Sequence, residues 1–330
     1  MKNKKYVNKI HCGYCEDILK DIRTDSIDFI ITSPPYANQR TYGIDDQHEL
    51  KALHPDSYID WFLPKAKQFY RVLKPTGSFI LNINDKTING SQHIYVYELV
   101  VELVKKIGFN LVRDYIWFNP ATPPNVFSSG KYGRTKKSHE YCFWFSKSDN
   151  WEFNLDEIRR PYSKAMQTYL KGMGKGNRNH NTRPSTHSFD CEKTWKNNGG
   201  ADPGSVIHIE DPNYDFNRID EWVINEPGDV ITISNTGSKN SFKQLCLEKG
   251  IKHPARYPEQ LVEFFIKAGT KEGDVVLDPF LGSGTTAIAA QNLKRNWIGI
   301  EANCDYCELA RYRIENDLNS NNKDTTARKE

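Results

Sequence analysis

Apolar residues in this chain fall into short runs separated by longer stretches with helical spacing. Ile27 to Ile31 is mostly apolar and reads as a buried strand. Ser78–Ile83, Phe109–Phe118, Tyr141–Phe145, Val275–Leu277 and Trp297–Ile300 read the same way, as does Tyr6–Ile10. Between them lie amphipathic segments. Asp17–Ile22 predicts a short helix. Asp56 is placed to cap a helix to about Leu73, with apolar Tyr58, Ile59, Phe62, Phe69 and Val72. Pro64 lies inside it and is expected to kink or break it, and Lys74-Pro75-Thr76-Gly77 is expected to end it. Further helices are expected at Ile94–Ile107 before Gly108, at Pro258–Ala268, from the glycine-rich turn near 284 through about Leu293, and at Asp305–Asn316. Strands alternating with such helices predict an α/β fold with a doubly wound, mostly parallel sheet.

The pattern lapses after about Asn150. Residues 163–200 carry seven Lys or Arg against Asp190 and Glu192, with little periodicity. Two readings stand: a solvated surface insert, or a face whose positive charges neutralise phosphates. Short strands are expected at Val206–Ile209 and Val230–Ile233. Residues 37–56 form a polar loop, long enough to be functional. The chain therefore divides into 1–150, an insert at 151–250, a second α/β portion at 251–317 and a polar, frayed tail at 318–330.

Composition narrows the class. With 330 residues and 38% hydrophobic content there is material for a sizeable core. No stretch approaches the length of apolar sequence a membrane span needs. Met1-Lys2-Asn3-Lys4-Lys5 is basic, but no apolar segment of signal-peptide type comes after it. A net charge of +3 neither marks nor excludes a nucleic-acid partner. Seven cysteines without a secretory signal predict reduced thiols in a cytoplasm.

Two motifs carry chemistry. The strand at Ile27–Ile31 runs into Thr32-Ser33-Pro34-Pro35-Tyr36. Two prolines stop the strand and stiffen the loop, so its carbonyls point in fixed directions. A hydroxyl before the prolines and an aromatic after them offer acceptors to an NH2 group and a flat face to a ring. The second motif is Asp278-Pro279-Phe280-Leu281-Gly282-Ser283-Gly284-Thr285-Thr286, between a strand and a helix. Glycines admit close approach of a ligand, and the helix N-terminus presents free N–H groups. Glu301, 19 positions after Gly282, ends the next strand and suits a ribose diol. Gly282-x-Gly284-x-x-Ala287 also fits a dinucleotide fingerprint, and a glycine turn used only for packing is a third reading. A P-loop fails, because no Lys follows Gly284. A carboxylate at Asp278 suits a cofactor bearing an α-amino group.

Together these motifs resemble those of the amino-group DNA methyltransferases, in the class whose catalytic motif precedes the cofactor motif. Further matches are Leu73-Lys74-Pro75-x-Gly77, Trp117-x-x-Pro120, His139-Glu140-Tyr141 before Phe145-x-Lys147, and His253-Pro254-Ala255-x-x-Pro258. The resemblance covers residues 1 to about 147 and 250 to 315. It implies a Rossmann-like methyltransferase fold with residues 151–250 as an inserted target-recognition region, S-adenosyl-L-methionine as cofactor and double-stranded DNA as substrate. It also implies that Ser33 and Pro34 accept hydrogen bonds from an exocyclic amine, with Pro35 and Tyr36 completing the catalytic loop. Asp278, Phe280, Gly282, Gly284, Thr285 and Glu301 then hold the cofactor. The family usually has Gly-Asp ahead of its first helix; here Gly13-Tyr14 stands there, leaving Tyr14 to meet the adenine. Ser-Pro-Pro-Tyr resembles the loop of N4-cytosine enzymes, and Asp-Pro-Pro-Tyr that of N6-adenine enzymes. The expected activity is site-specific N4-cytosine methylation beside a restriction endonuclease, in the cytoplasm; N6-adenine methylation is the alternative.

Other residues carry readings from their own chemistry. Arg40 and Tyr42, just past the catalytic loop, are candidates for DNA contact, with Lys171, Lys175, Arg178 and Arg183. Trp195 and Trp222 fit either DNA contact or local packing. His139 and His253 read as structural, because methyl transfer to an amine needs no strong base. Cys12-x-x-Cys15 and Cys304-x-x-Cys307 look like zinc half-sites, but Cys15 and Cys307 suit helix packing, and no metal is expected. An NAD-dependent oxidoreductase and a non-enzymatic DNA-binding module are the competing classes.

Overall fold

The computed structural model describes residues 4–37, 53–118, 137–162, 164–168, 170–171, 197–202, 231–232 and 257–327. The chain divides into two units, residues 1–153 with 204–330, and residues 154–203.

The larger unit is built on one eight-stranded sheet. Its strands are β1 (Lys9–Cys12), β2 (Ile27–Thr32), β3 (Leu73–Ile83), β6 (Asn110–Phe118), β7 (His139–Ser146), β8 (Ile231–Thr232), β9 (Val275–Asp278) and β10 (Asn296–Glu301). The short strands β4 (Thr87–Ile88) and β5 (Ser91–Gln92) form a separate hairpin. The order across the sheet is β1-β10-β9-β2-β3-β7-β6-β8. From β1 to β3 every pairing is parallel, while β7 runs antiparallel to both β3 and β6. This is the doubly wound α/β architecture the alternating pattern predicts. Because β7 is antiparallel, its N-terminal residues reach the edge where β2 and β9 end.

Around the sheet lie α1 (Cys15–Ile18), α2 (Pro55–Val72), α3 (Tyr95–Glu102), α5 (Glu259–Gly269), α6 (Thr285–Asn292) and α7 (Cys304–Ala327), with α4 (Lys164–Thr168) in the smaller unit. Successive strand residues face opposite ways. Ile30, Phe79, Leu81, Leu277 and Ile298 join Leu19, Tyr58, Phe62, Phe69 and Leu99 in one apolar cluster with α2 and α3. Phe29, the neighbour of Ile30, faces α5, where Gly269 lets its ring approach. Trp144 and Tyr115 meet Phe265 of α5 on that same face.

Several boundaries differ from expectation for identifiable reasons. Pro64 does not break α2, which runs unbroken to Val72. Buried Tyr58 and Phe62 before it, and Ala66, Phe69 and Val72 after it, keep both halves packed on one core. His54, not Asp56, is the N-cap: its ring accepts from the Asp56 N–H. Lys74–Gly77 belongs to β3, as a bulge between the pairings Ile27↔Leu73 and Phe29↔Ser78. A Cβ at Gly77 would fall 2.8 Å from the Asp28 carbonyl oxygen, so only glycine fits. The first strand is Lys9–Cys12 rather than Tyr6–Ile10, set by its parallel register with Ile298–Glu301. The helix before Gly108 keeps α-geometry only to Glu102, then widens over Leu103–Ile107. The last helix continues past Asn316 to Ala327, since a polar sequence without proline or glycine does not stop a helix. Of the strands expected in the insert, Ile231–Thr232 pairs with Trp117–Phe118, and 206–209 lies outside the described residues.

The cysteines also depart from expectation. Cys12 and Cys304 are joined as a disulfide, with Cα atoms 5.8 Å apart, where reduced thiols were expected throughout. The parallel pairing of Cys12 with Glu301 brings the end of β1 beside the turn that starts α7. Cys15, Cys142 and Cys307 are free and buried. Cys191 and Cys246 lie outside the described residues. Among the described residues there is neither a metal-binding cluster nor a helix long and apolar enough to cross a membrane.

Candidate active site

Adjacency of two parallel strands creates the site. β2 and β9 pair through Phe29↔Val276 and Ile30↔Leu277, so both end at the same edge of the sheet. β2 delivers the proline loop and β9 the glycine loop. Segments far apart in the chain thus open onto one crevice beyond the strand ends, where doubly wound folds bind ligands.

A buried carboxylate fastens the two loops together. Asp278 is fully buried. One of its oxygens accepts from the Thr32 hydroxyl at 2.6 Å and from the Phe280 N–H at 3.0 Å. The other accepts from Thr286 Oγ1 at 2.5 Å and from the Tyr257 hydroxyl at 3.0 Å. A carboxylate has about four acceptor positions, and the protein's own donors fill them. Through these bonds Asp278 is a staple between the proline-loop strand and the glycine-loop strand. Burial pushes its carboxyl above the usual range, and the four donors oppose that rise.

The glycine loop leads into α6. Gly282 and Gly284 both have positive φ, +54° and +89°. At Gly284 a Cβ would lie 3.1 Å from Cβ of Ala310, so a side chain would press on α7. Gly284 is the N-cap of α6 and contributes no side-chain cap, which leaves the first-turn N–H groups for other acceptors. Thr285 is buried, and the Arg313 guanidinium reaches across from α7 to the Ser283 carbonyl and to its hydroxyl at 2.9 Å. Glu301 ends β10 facing this loop. It accepts from the Gly282 N–H at 2.8 Å and the Asn303 N–H at 2.9 Å, one on each carboxylate oxygen. The carboxylate keeps acceptor capacity beyond these two bonds, which suits a hydroxyl-bearing ligand. Burial raises its carboxyl as well. Tyr14 caps α1 one residue beyond Gly13, whose N–H binds the Glu301 carbonyl at 2.9 Å, so it stands beside this acid. Phe280, next to the glycine loop, packs against Trp61 of α2 with ring centroids 5.8 Å apart.

In the proline loop Pro34 is buried. The Tyr58 hydroxyl donates to the Pro35 carbonyl at 2.9 Å and fixes the loop from α2. Among the described residues no protein donor reaches the Pro34 carbonyl. Ser33 Oγ lies 3.0 Å from the Tyr36 hydroxyl, which is 2.7 Å from Glu140 and 3.0 Å from Asn82 Oδ1. Burial, then the Glu140 charge, holds the Tyr36 phenol well above its ordinary range, so it keeps its proton. Next to this group sits another buried acid, Asp85, which accepts from Gln92 at 2.6 Å and pairs with Lys137. His139 is half-buried, and burial, then the Lys137 charge, lowers its imidazole.

The structure thus brings Ser33, Pro34, Pro35, Tyr36, Phe280, Gly282, Gly284, Thr285, Glu301 and Tyr14 to one edge of the sheet. Arg40, Tyr42, Lys175, Arg178, Arg183, Trp195, Trp222 and His253 lie outside the described residues. Lys171 is exposed in the smaller unit. The sequence alone assigns no role to Thr32, Tyr257, Asn82 or Glu140. Asn82 had one legible signal: a polar side chain inside the apolar run of Ser78–Ile83.

The family model for DNA methylases matches residues 27–312. The Type II methyltransferase M.PvuII of Proteus hauseri is 32% identical over 313 residues, covering 92% of this chain and 83% of that protein. The solved PvuII DNA methyltransferase (cytosine-N4-specific) superposes with a TM-score of 0.64 at 26% identity, over 92% of this chain and 85% of its own. The M1.HpyAVI–SAM complex shares the fold, with a TM-score of 0.50 at 19% identity over 93% of this chain and 98% of its own. A split crevice closed by Asp278 and a match spanning both of its halves place the chain in the DNA methylase family, as a DNA methyltransferase.

Proposed function

We propose that this enzyme methylates the exocyclic N4 of cytosine in duplex DNA. The observation that carries the reading is the Ser33 hydroxyl and the neighbouring Pro34 carbonyl, held rigid at the tip of β2 beside the cofactor loop. Similarity to a cytosine-N4-specific enzyme over most of the chain supports the choice of base.

An exocyclic NH2 on an aromatic base is a poor nucleophile, because its lone pair is delocalised into the ring. Acceptors on both N–H bonds favour a pyramidal nitrogen and localise that pair. The Ser33 hydroxyl and Pro34 carbonyl are those acceptors, fixed in advance so that little reorganises during reaction. Tyr36 offers its ring face to the base. The target nucleotide leaves the duplex to reach them, at a cost of a few kcal/mol.

S-adenosyl-L-methionine, when bound, supplies an electrophilic methyl group on a sulfonium. The residues present fit it: uncapped N–H groups at the start of α6 for a carboxylate, Glu301 for a ribose diol, and Tyr14 and Phe280 as aromatic surface for an adenine. Gly282, Gly284 and Thr285 shape the turn between them. Because transfer is direct and in line, much of the rate comes from positioning. A nucleophilic cysteine is not required, and Cys142, buried behind Asn82, has its thiol raised by burial.

Residues 151–250 recognise the target. Arg40, Tyr42, Lys171, Lys175, Arg178 and Arg183 contact DNA, the basic side chains on phosphates. Site-specific modification of this kind protects host DNA beside a restriction endonuclease with the same target, in the cytoplasm. Two measurements test the reading. Purified protein should bind labelled S-adenosyl-L-methionine and transfer the label to duplex DNA. Modification-sensitive sequencing of DNA from expressing cells should find N4-methylcytosine in one sequence context. N6-methyladenine there would replace the choice of base, and no cofactor binding would overturn the whole reading.

A further inference from the structure

A hydroxyl has one proton, so a chain of hydroxyls has a direction. The Tyr36 phenol sits among three oxygens: Glu140 Oε2 at 2.7 Å, Asn82 Oδ1 at 3.0 Å and Ser33 Oγ at 3.0 Å. An ionised carboxylate only accepts. The Asn82 amide nitrogen donates to the Tyr141 carbonyl at 3.1 Å, which turns its oxygen, also only an acceptor, toward Tyr36. The single Tyr36 proton is therefore committed to that side, and mainly to the charged, shorter contact. The bond between Ser33 and Tyr36 then forms only with Ser33 donating. That uses the Ser33 proton and leaves its lone pairs for a substrate. The opposite arrangement would aim the Ser33 proton at the amine lone pair and quench the nucleophile.

We propose that Glu140, with Asn82 beside it, is a positioning residue of this enzyme: acting through the Tyr36 hydroxyl, it fixes Ser33 as a hydrogen-bond acceptor toward the target amine. The proposal rests on the function proposed above and deepens it. The topology explains why the acid comes from so far along the chain. β7 is antiparallel, so its second residue lies at the edge where β2 ends. Asn82 is 2% exposed in β3, between those strands.

The test uses the full chain with S-adenosyl-L-methionine and target duplex. Glu140→Gln should lower kcat about tenfold, with cofactor affinity and melting temperature close to wild type. Tyr36→Phe, which cuts the chain of hydroxyls, should lower kcat at least as far. In a Ser33→Ala background, adding Glu140→Gln should cost nothing further, because the group it orients is gone. A Glu140→Gln effect as large with Ser33→Ala as without it, or one confined to cofactor affinity or melting temperature, overturns the proposal. A wild type that binds cofactor but methylates no DNA overturns the function and this proposal together. Methylation by the wild type with additive variants overturns this proposal alone.

Discussion

At the scale of single residues, the site is governed by where buried carboxylates find donors. Glu301 and Asp278 are both raised by burial, but they play different parts. In its proposed role Glu301 accepts both hydroxyls of a ribose diol as the ionised carboxylate. Cofactor affinity should therefore weaken as pH falls through its raised value, and Glu301→Gln should bind more weakly at neutral pH by about tenfold and show no such slope. Stability without cofactor moves the other way. A carboxyl whose folded value lies above its unfolded one binds more protons when folded, so stability rises as pH falls through that window. Titration calorimetry and thermal melts over the same pH range would show the opposing trends; parallel trends would refute the assignment. Asp278 answers to a different perturbation. Thr32→Val removes one of its four donors from a fully buried site and should lower stability by about 1–3 kcal/mol in chemical denaturation, since the acceptor cannot turn to water. Ser33, the glycines and Glu301 were legible because each belongs to a local motif. Thr32, Tyr257 and Glu140 were not, because their partners lie 246, 21 and 104 positions away and no local pattern announces such a bond.

Elements were legible where packing and periodicity agree. β2, β9 and α5 lie within a residue or so of expectation, because fully buried apolar runs bounded by turns leave little choice. Expectation failed where a local rule met a tertiary constraint. Pro64 should break a helix by its own chemistry, yet apolar residues on both sides hold α2 to one core. Lys74–Gly77 looked like a turn and is a bulge, pinned by the Lys74–Asp28 pair at 2.5 Å and by Asp28 receiving the Val275 N–H at 2.9 Å. The contact between α5 and β2 is equally demanding. A Cβ on Gly269 would stand 2.3 Å from Phe29 Cε2, in the strand that carries the catalytic loop. Gly269→Ala should therefore destabilise by about 1–3 kcal/mol and lower activity together, as α5 or β2 shifts. An alanine variant as stable as wild type would show that this packing yields more easily than its geometry indicates.

At the scale of the whole molecule, chain order and spatial order are decoupled. The catalytic loop precedes the cofactor loop in sequence, but the sheet sets their strands side by side, and the enzyme uses only the second relation. The disulfide makes the same point covalently. Cys12 and Cys304 are 292 positions apart, so everything between them forms a single closed loop of polypeptide. Between those two cysteines there is no place where one cut separates the molecule. A protease site engineered between residues 154 and 203 and cleaved once should leave a single species on a non-reducing denaturing gel and two fragments after thiol treatment. Two fragments without reductant would show that the sulfurs are not joined. Where the loop is closed, the strands and loops of the active site belong to a ring with two loose ends, and nicking it changes its connectivity without changing its parts.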